Sequence, residues 1–258
     1  MSQNIKSFIQ FLIQQLIGYS TYLYCFSIYR VLRYQMFKDD DDVKFFIQLV
    51  KKQNKGIIID AGANVGYMSV IFAKAFPESS IVSYEPVKLL SSIIARVIRF
   101  FGTSNIEIRQ KALGDSIESV IIKTPIIQGV KKQGLSYIDK EVERADADIL
   151  KKSIDEQVDM VSLDSEWLND MGSHKISGIK VDVENFEYFV LKGAAQILER
   201  FKPVVMAELW DNNRKNACIQ FMEKLGYRVY IIKDKALVQF QGQPSLNYFF
   251  IPVTNEME

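Results

Sequence analysis

The run Ile57-Ile58-Ile59-Asp60-Ala61-Gly62-Ala63-Asn64-Val65-Gly66-Tyr67 constrains the fold of this chain more than any other stretch. Three consecutive β-branched residues suit a buried strand. The Gly-Ala-Asn-Val-Gly turn then opens into an apolar periodic segment, Met68 to Phe76. Gly62 and Gly66 remove side chains where the backbone must bend sharply and approach a ligand closely. Asp60 falls at the carboxyl end of the strand, where open α/β sheets bind small molecules. The spacing is Gly-x-x-x-Gly rather than Gly-x-Gly-x-x-Gly, which argues against a dinucleotide pyrophosphate site. The turn also lacks the Gly-Lys-Ser/Thr ending of a P-loop.

The rest of the chain repeats the strand–helix alternation that a parallel sheet needs. Hydrophobic periodicity predicts helices at 43–51, 65–76, 87–101, 186–201 and 213–225. Strands are predicted at 57–61, 81–85, 106–113, 119–124, 159–163, 178–183, 204–209, 227–232 and 247–252. The fold class expected is α/β: a doubly wound, mostly parallel, seven-stranded Rossmann-like sheet with an N-terminal helical extension. Residues 43–258 form that domain and residues 1–42 the extension. The stretch 125–158 breaks the alternation, with Gly129, Gly134 and a mixed charge cluster. A segment of that length is either a lid or specificity insert or a solvated excursion, and periodicity does not choose.

Ile81-Val82-Ser83-Tyr84-Glu85-Pro86 ends a second strand in an acid, about 20 residues after the glycine turn, where nucleotide folds hold ribose hydroxyls. A carboxylate suits the role because it only accepts hydrogen bonds. Asp182 and Glu184 end a later strand, and alternation puts both side chains on one side of it. Glu208 ends the next strand and joins them. A carboxylate among acids, partly buried, has its pKa raised toward the range of a general base. The bland alternative is that Asp182 only caps a turn and Glu184 only holds a ligand's ammonium group. Three clustered carboxylates also suit a divalent cation, but no histidine completes a transition-metal site, and no metal is expected.

Composition narrows the classes further. Of 258 residues, 48% are hydrophobic and 24% charged, which is globular. A net charge of +1, with no basic stripe, leaves no field to attract nucleic acid. Cys25 and Cys218 lie far apart and suit a reducing compartment. The lone His174, in a polar stretch, is expected on an exposed loop rather than in the site.

Residues 7–29 carry no formal charge and are long enough to span a bilayer. Gln10, Gln14 and Gln15 interrupt them, and Phe8, Ile9, Leu12, Ile13, Leu16 and Ile17 gather on one helical face. That pattern predicts a helix packed on the domain or lying on a membrane surface, in preference to a spanning one. The expected protein is cytoplasmic, with peripheral membrane association through residues 5–29 as a further expectation. The acidic run Asp39 to Asp42 is expected to mark a solvated boundary.

An acid and a Gly-x-x-x-Gly turn after a strand form the usual first motif of S-adenosylmethionine-dependent methyltransferases. The segment from Ile179-Lys180-Val181-Asp182-Val183-Glu184-Asn185 through Gly193-Ala194 resembles the central signature of FkbM-type methyltransferases. Glu85-Pro86, Ala112-Leu113-Gly114-Asp115, Ser162-Leu163-Asp164 and Asn247 to Pro252 agree in order over about residues 43 to 253. One departure is Asn185, where the family usually places glycine; asparagine tolerates a left-handed backbone best after glycine. The resemblance implies a class I methyltransferase fold and S-adenosyl-L-methionine as cofactor. It implies that Asp60, Gly62, Ala63, Asn64 and Gly66 shape the cofactor turn and Glu85 holds the ribose. Ala112 and Leu113 would flank the adenine, and Asp182, Glu184 and Glu208 would be catalytic. It further implies O-methylation of a sugar, glycan or natural-product hydroxyl. Use of another nucleotide on the same sheet, or a non-catalytic binding module, are the alternatives.

Overall fold

The computed structural model describes residues 12–127, 129–138, 152–171 and 174–253. The chain opens with a helix, α1, described over 12–17, and continues into α2 (Tyr19–Phe37) and α3 (Asp41–Val50). The acidic run is a helix start rather than a loose boundary. Asp40 caps α3 by accepting from the Val43 amide at 3.2 Å, and Asp41 and Asp42 lie in the first turn. Negative charge there opposes the positive end of the helix dipole.

The first half of the sheet follows as β1 (Ile57–Ala61), α4 (Tyr67–Ala75), β2 (Ile81–Tyr84), α5 (Lys88–Phe101) and β3 (Ile106–Arg109). The chain then leaves the sheet through β4 (Ala112–Leu113), β5 (Glu118–Ile127), β6 (Val130–Lys131), β7 (Tyr137–Ile138) and β8 (Ser153–Val161). After α6 (Leu163–Glu166) it returns as β9 (Ile176–Val181), α7 (Glu187–Lys192), α8 (Ala195–Phe201), β10 (Val204–Glu208) and α9 (Asn213–Lys224). It closes with β11 (Tyr227–Lys233), β12 (Ala236–Gln239) and β13 (Asn247–Pro252).

The main sheet has eight strands in the order β12-β11-β13-β10-β9-β1-β2-β3, parallel except for β13 and β12. The doubly wound, mostly parallel expectation agrees; the strand number does not. β12 extends the edge through a two-residue turn in which Asp234 (φ 50) and Lys235 (φ 60) are both left-handed. Such a turn matches the twist of a hairpin, but without Asn-Gly it leaves little sign in the sequence. β1 is buried at every residue. Ile57, Ile59 and Ala61 face a core with Val181, Val190 and Leu198, while Ile58 faces Phe46 and Phe72. This alternation explains the unbroken apolar run of a strand covered on both faces.

The single helix expected at 186–201 is two helices. The Asp164 carboxylate accepts from the amides of Gln196 and Ile197, both at 3.0 Å, and so starts α8 separately. The excursion at 125–158 is ordered pairing over much of its described length. β5 and β8 pair antiparallel from Glu118↔Met160 to Pro125↔Ser153. Residues 139–151 of the insert lie outside the described residues.

α2 is bound to the domain along one face. Leu23, Ser27, Val31 and Tyr34 recur at helical spacing and are buried. Leu23 and Val31 join Val70, Leu90 and Val97 in one apolar cluster, and the Ser27 hydroxyl donates to the Val65 carbonyl at 2.8 Å. In α1 the apolar side, over its described residues, is not the side packed on the domain. Gln14 is buried, whereas Leu12, Leu16 and Ile17 are exposed; Phe8 and Ile9 lie outside the described residues. No helix among the described residues is long and apolar enough to cross a membrane.

Candidate active site

The strand order reverses between β1 and β9, and the carboxyl ends of the strands there surround a cavity of about 370 Å³. That volume lies within the range of small-molecule sites. At the reversal the ends of the two strands touch: the Asp182 amide donates to the Ala61 carbonyl at 3.1 Å. Gly62 has φ +75, and a Cβ on it would overlap the Asp182 carbonyl oxygen. The glycine is therefore required by a neighbouring backbone as well as by any ligand. Asn64 follows at φ 53, and Gly66 at φ +76 begins α4 beneath Ile94.

Gly62, Ala63 and Asn64 line the cavity, and so do Glu85, Ala112 and Leu113. Asp60 and Gly66 do not; they support the turn from below. The Glu85 carboxylate is almost wholly buried and accepts from the Asn64 amide at 2.8 Å and the Val87 amide at 2.9 Å. Burial pushes its pKa up to about 8, against those two amides, which pull it down. Each oxygen of the carboxyl group, protonated or ionised, keeps a lone pair for a ligand donor.

Asp182, Glu184 and Glu208 also line the cavity. The alternation expected to aim Asp182 and Glu184 does not operate, because β9 ends at Val181. Glu184 (φ 54) and Asn185 (φ 72) instead form a left-handed turn, which asparagine tolerates as expected. The turn is tied by Glu187, whose Oε1 accepts from the Val183 amide at 3.0 Å and the Asn185 amide at 3.2 Å. Arg214 donates to the Asn185 carbonyl at 2.8 Å. Glu208 accepts from the Trp210 indole at 3.3 Å; burial first, then the charge of Asp182, raises its pKa. Among the described residues no three acids, histidines or cysteines are grouped to hold a metal. His174 is exposed and does not line the cavity.

Lys180 is the residue that sequence reasoning passed over. Its side chain is 4% exposed and its ammonium lies 3.1 Å from Asp60 and 3.7 Å from Asp182. It also donates to the Gly62 carbonyl at 2.8 Å. Burial opposes the charge, but the Asp60 and Asp182 carboxylates outweigh it and keep the amine protonated. Asp60 takes a second bond from the Ser69 hydroxyl at 2.5 Å. One buried cation thus joins the strand acid, the glycine turn and a cavity acid. A lysine between the β-branched Ile179 and Val181 of a strand predicted to be buried was the available signal.

Residues 60–229 match the methyltransferase FkbM domain. The chain belongs to the FkbM methyltransferase family. It is 25% identical over 184 residues to Methyltransferase 1 of Beauveria bassiana, covering 67% of this chain and 73% of that one. It is also 25% identical over 173 residues to Methyltransferase sdnD of Sordaria araneosa, covering 60% and 66% respectively. Among solved structures, Methyltransferase FkbM from Methylobacillus flagellatus KT aligns with a TM-score of 0.48 at 14% identity. That alignment covers 96% of this chain and 59% of the other, so this chain spans under two thirds of that protein.

Several residues of this FkbM methyltransferase act behind the cavity wall. Glu166 accepts from Arg109 at 2.7 Å, Lys111 at 2.8 Å and the Tyr84 hydroxyl at 3.3 Å. Burial works against its charge, but Lys111 and Arg109 hold its pKa below the usual value. Tyr84 and Lys111 line the cavity, so this network fixes the wall beside Leu113. The extension and the insert complete the cavity with Phe26, Arg30, Gln133 and Tyr137. They are joined by the Tyr19 hydroxyl, which donates to Gln133 Oε1 at 3.1 Å. Arg30 stacks over Tyr67 at 4.3 Å and donates to its hydroxyl at 3.1 Å. No local pattern in the sequence joins residue 19 to residue 133.

Proposed function

We propose that this protein transfers a methyl group from S-adenosylmethionine to a hydroxyl of a sugar, glycan or natural-product acceptor. The observation that carries the reading is the order of groups along one sheet edge. Glu208 ends β10, Asp182 and Glu184 follow β9, the Gly62–Asn64 turn follows β1, Glu85 follows β2, and Ala112 and Leu113 lie beyond β3. Neighbouring strands are about 4.8 Å apart, so the row extends roughly 19 Å from acids to apolar residues.

This donor set fits the cofactor. Asp182 and Glu184 suit an ammonium group, the buried Glu85 acceptor suits two ribose hydroxyls, and Ala112 with Leu113 suits the flat face of a base. S-adenosylmethionine, when bound, supplies a sulfonium-activated methyl group, so the protein has placement and proton removal left to provide. Glu208 is the base in this reading. It lines the cavity, and its raised pKa brings it toward the range in which a carboxylate takes a hydroxyl proton. Lys180 holds Asp182 in place and balances the charge of Asp60.

Calorimetry on the wild type and Glu85→Ala tests the cofactor. Loss of the acceptor should weaken S-adenosylmethionine binding by about 2 kcal/mol, roughly thirtyfold. Equal affinities, or affinity for a nicotinamide cofactor in its place, would overturn the reading.

A further inference from the structure

α2 is apolar on both faces, which is unusual for a helix with one side uncovered. Its inner face, Leu23, Ser27, Val31 and Tyr34, packs on the domain. Its outer face carries Cys25, Tyr29, Leu32 and Met36 at spacings of four, three and four, all exposed. Tyr29 is 55% exposed, Met36 71% and the adjoining Phe37 65%. Tyr24, next on the helix, meets the exposed Phe100 of α5 edge to face at 6.4 Å, so the apolar surface continues onto α5.

The bases on this side come from helices that carry no acid of their own. α2, α4 and α5 together carry Arg30, Arg33, Lys74, Lys88, Arg96 and Arg99 and no acid. Arg33 is paired with Asp39 and Arg30 with Asp40, acids that lie beyond the end of α2. Lys74, Lys88, Arg96 and Arg99 are exposed on α4 and α5. Arg96 lies over Tyr24 at 4.2 Å and Lys74 over Phe101 at 4.6 Å, which sets bases beside the aromatic surface.

We infer that the outer face of α2, with the adjoining end of α5, is a docking surface for an anionic lipid bilayer. A bilayer takes the apolar stripe at its acyl boundary and the surrounding bases at its headgroups. A second copy of the chain suits the face less well, since two such surfaces would bring the exposed bases Arg96 and Arg99 of α5 against one another. The surface differs from the stretch 5–29 expected from sequence, because the exposed stripe runs on to Phe37 and includes α5. α2 also lends Phe26 and Arg30 to the cavity, so cavity and bilayer are separated by the width of one helix, about 10 Å.

Flotation of the full chain with phosphatidylcholine vesicles, with and without phosphatidylglycerol, tests this. The chain should float with the anionic vesicles, and high salt should release it. Leu32→Asp with Met36→Asp should abolish flotation, and Arg96→Glu with Arg99→Glu should reduce it at least roughly tenfold. These residues lie outside the cavity, so calorimetry with S-adenosylmethionine on the same variants reports folding and tests the proposed activity separately. Absence of flotation, equal flotation with neutral vesicles, or a dimer in sedimentation that Leu32→Asp dissociates would overturn the assignment.

Discussion

At the scale of single residues, two kinds of acid serve the site, one behind the cavity wall and one lining it. Asp60 is fully buried and held by Lys180, so it is part of the frame. Removing only the cation leaves a carboxylate buried without compensation. Lys180→Met should therefore destabilise the protein by about 3–5 kcal/mol, and adding Asp60→Asn should recover much of that loss. Thermal melts of the three proteins check it, and an unchanged melting temperature in Lys180→Met would show that the pair does not matter. Glu208 is different, since it faces the cavity with one indole bond and no cation within pairing distance among the described ion pairs. Glu208→Gln should melt like the wild type and transfer methyl groups at least about a hundredfold more slowly. Full activity in that variant would move the base to Asp182 or Glu184.

At the scale of elements, the turn after β1 and the turn after β9 form one unit. Each needs left-handed residues, and they meet at the Gly62 Cα and the Asp182 carbonyl. Gly62→Ala forces a backbone to move, and should cost on the order of 3 kcal/mol or more. Gly102→Ala is the control. Its φ is +62, but nothing lies within 4 Å of the added carbon, so only the left-handed strain of about 1 kcal/mol remains. Equal denaturation midpoints for the two variants would contradict the close approach. The central signature is explained the same way. Asn185 supplies the left-handed step, Glu187 ties the amides across it, and Gly193 passes Gly114 where a Cβ would overlap its carbonyl.

At the scale of the whole molecule, two buried carboxyls make stability depend on pH in an unusual direction. Burial pushes Glu85 and Glu187 from 4.5 up to about 8, against the amides that donate to them. Between those values the folded chain binds protons that the unfolded chain has released. Their contribution is complete below about pH 4.5 and is lost as pH rises through about 8. Glu187→Gln keeps an oxygen for the Val183 and Asn185 amides, so it should fold and reduce the fall in melting temperature across that window. A pH profile unchanged from the wild type would place the Glu187 proton elsewhere.

The sequence by itself determined the parallel sheet, its glycine turn and the acids that line the cavity, Glu85, Asp182, Glu184 and Glu208. These are local facts: β-branched runs, left-handed positions and acids at strand ends follow from neighbours in the chain. The FkbM resemblance was legible for the same reason, since its motifs are short and their order is linear. Tertiary structure decided the rest. Lys180 acquired its role only when β9 lay beside β1, and α2 became part of the cavity only by packing across α4 and α5. The seven-strand expectation missed β12 because its turn uses Asp234 and Lys235, which carry no strong hairpin signal. The split between α7 and α8 depended on Asp164, more than thirty residues away in the chain. Burial of charge, and the meeting of distant segments, are properties of the packed molecule, and periodicity cannot encode them.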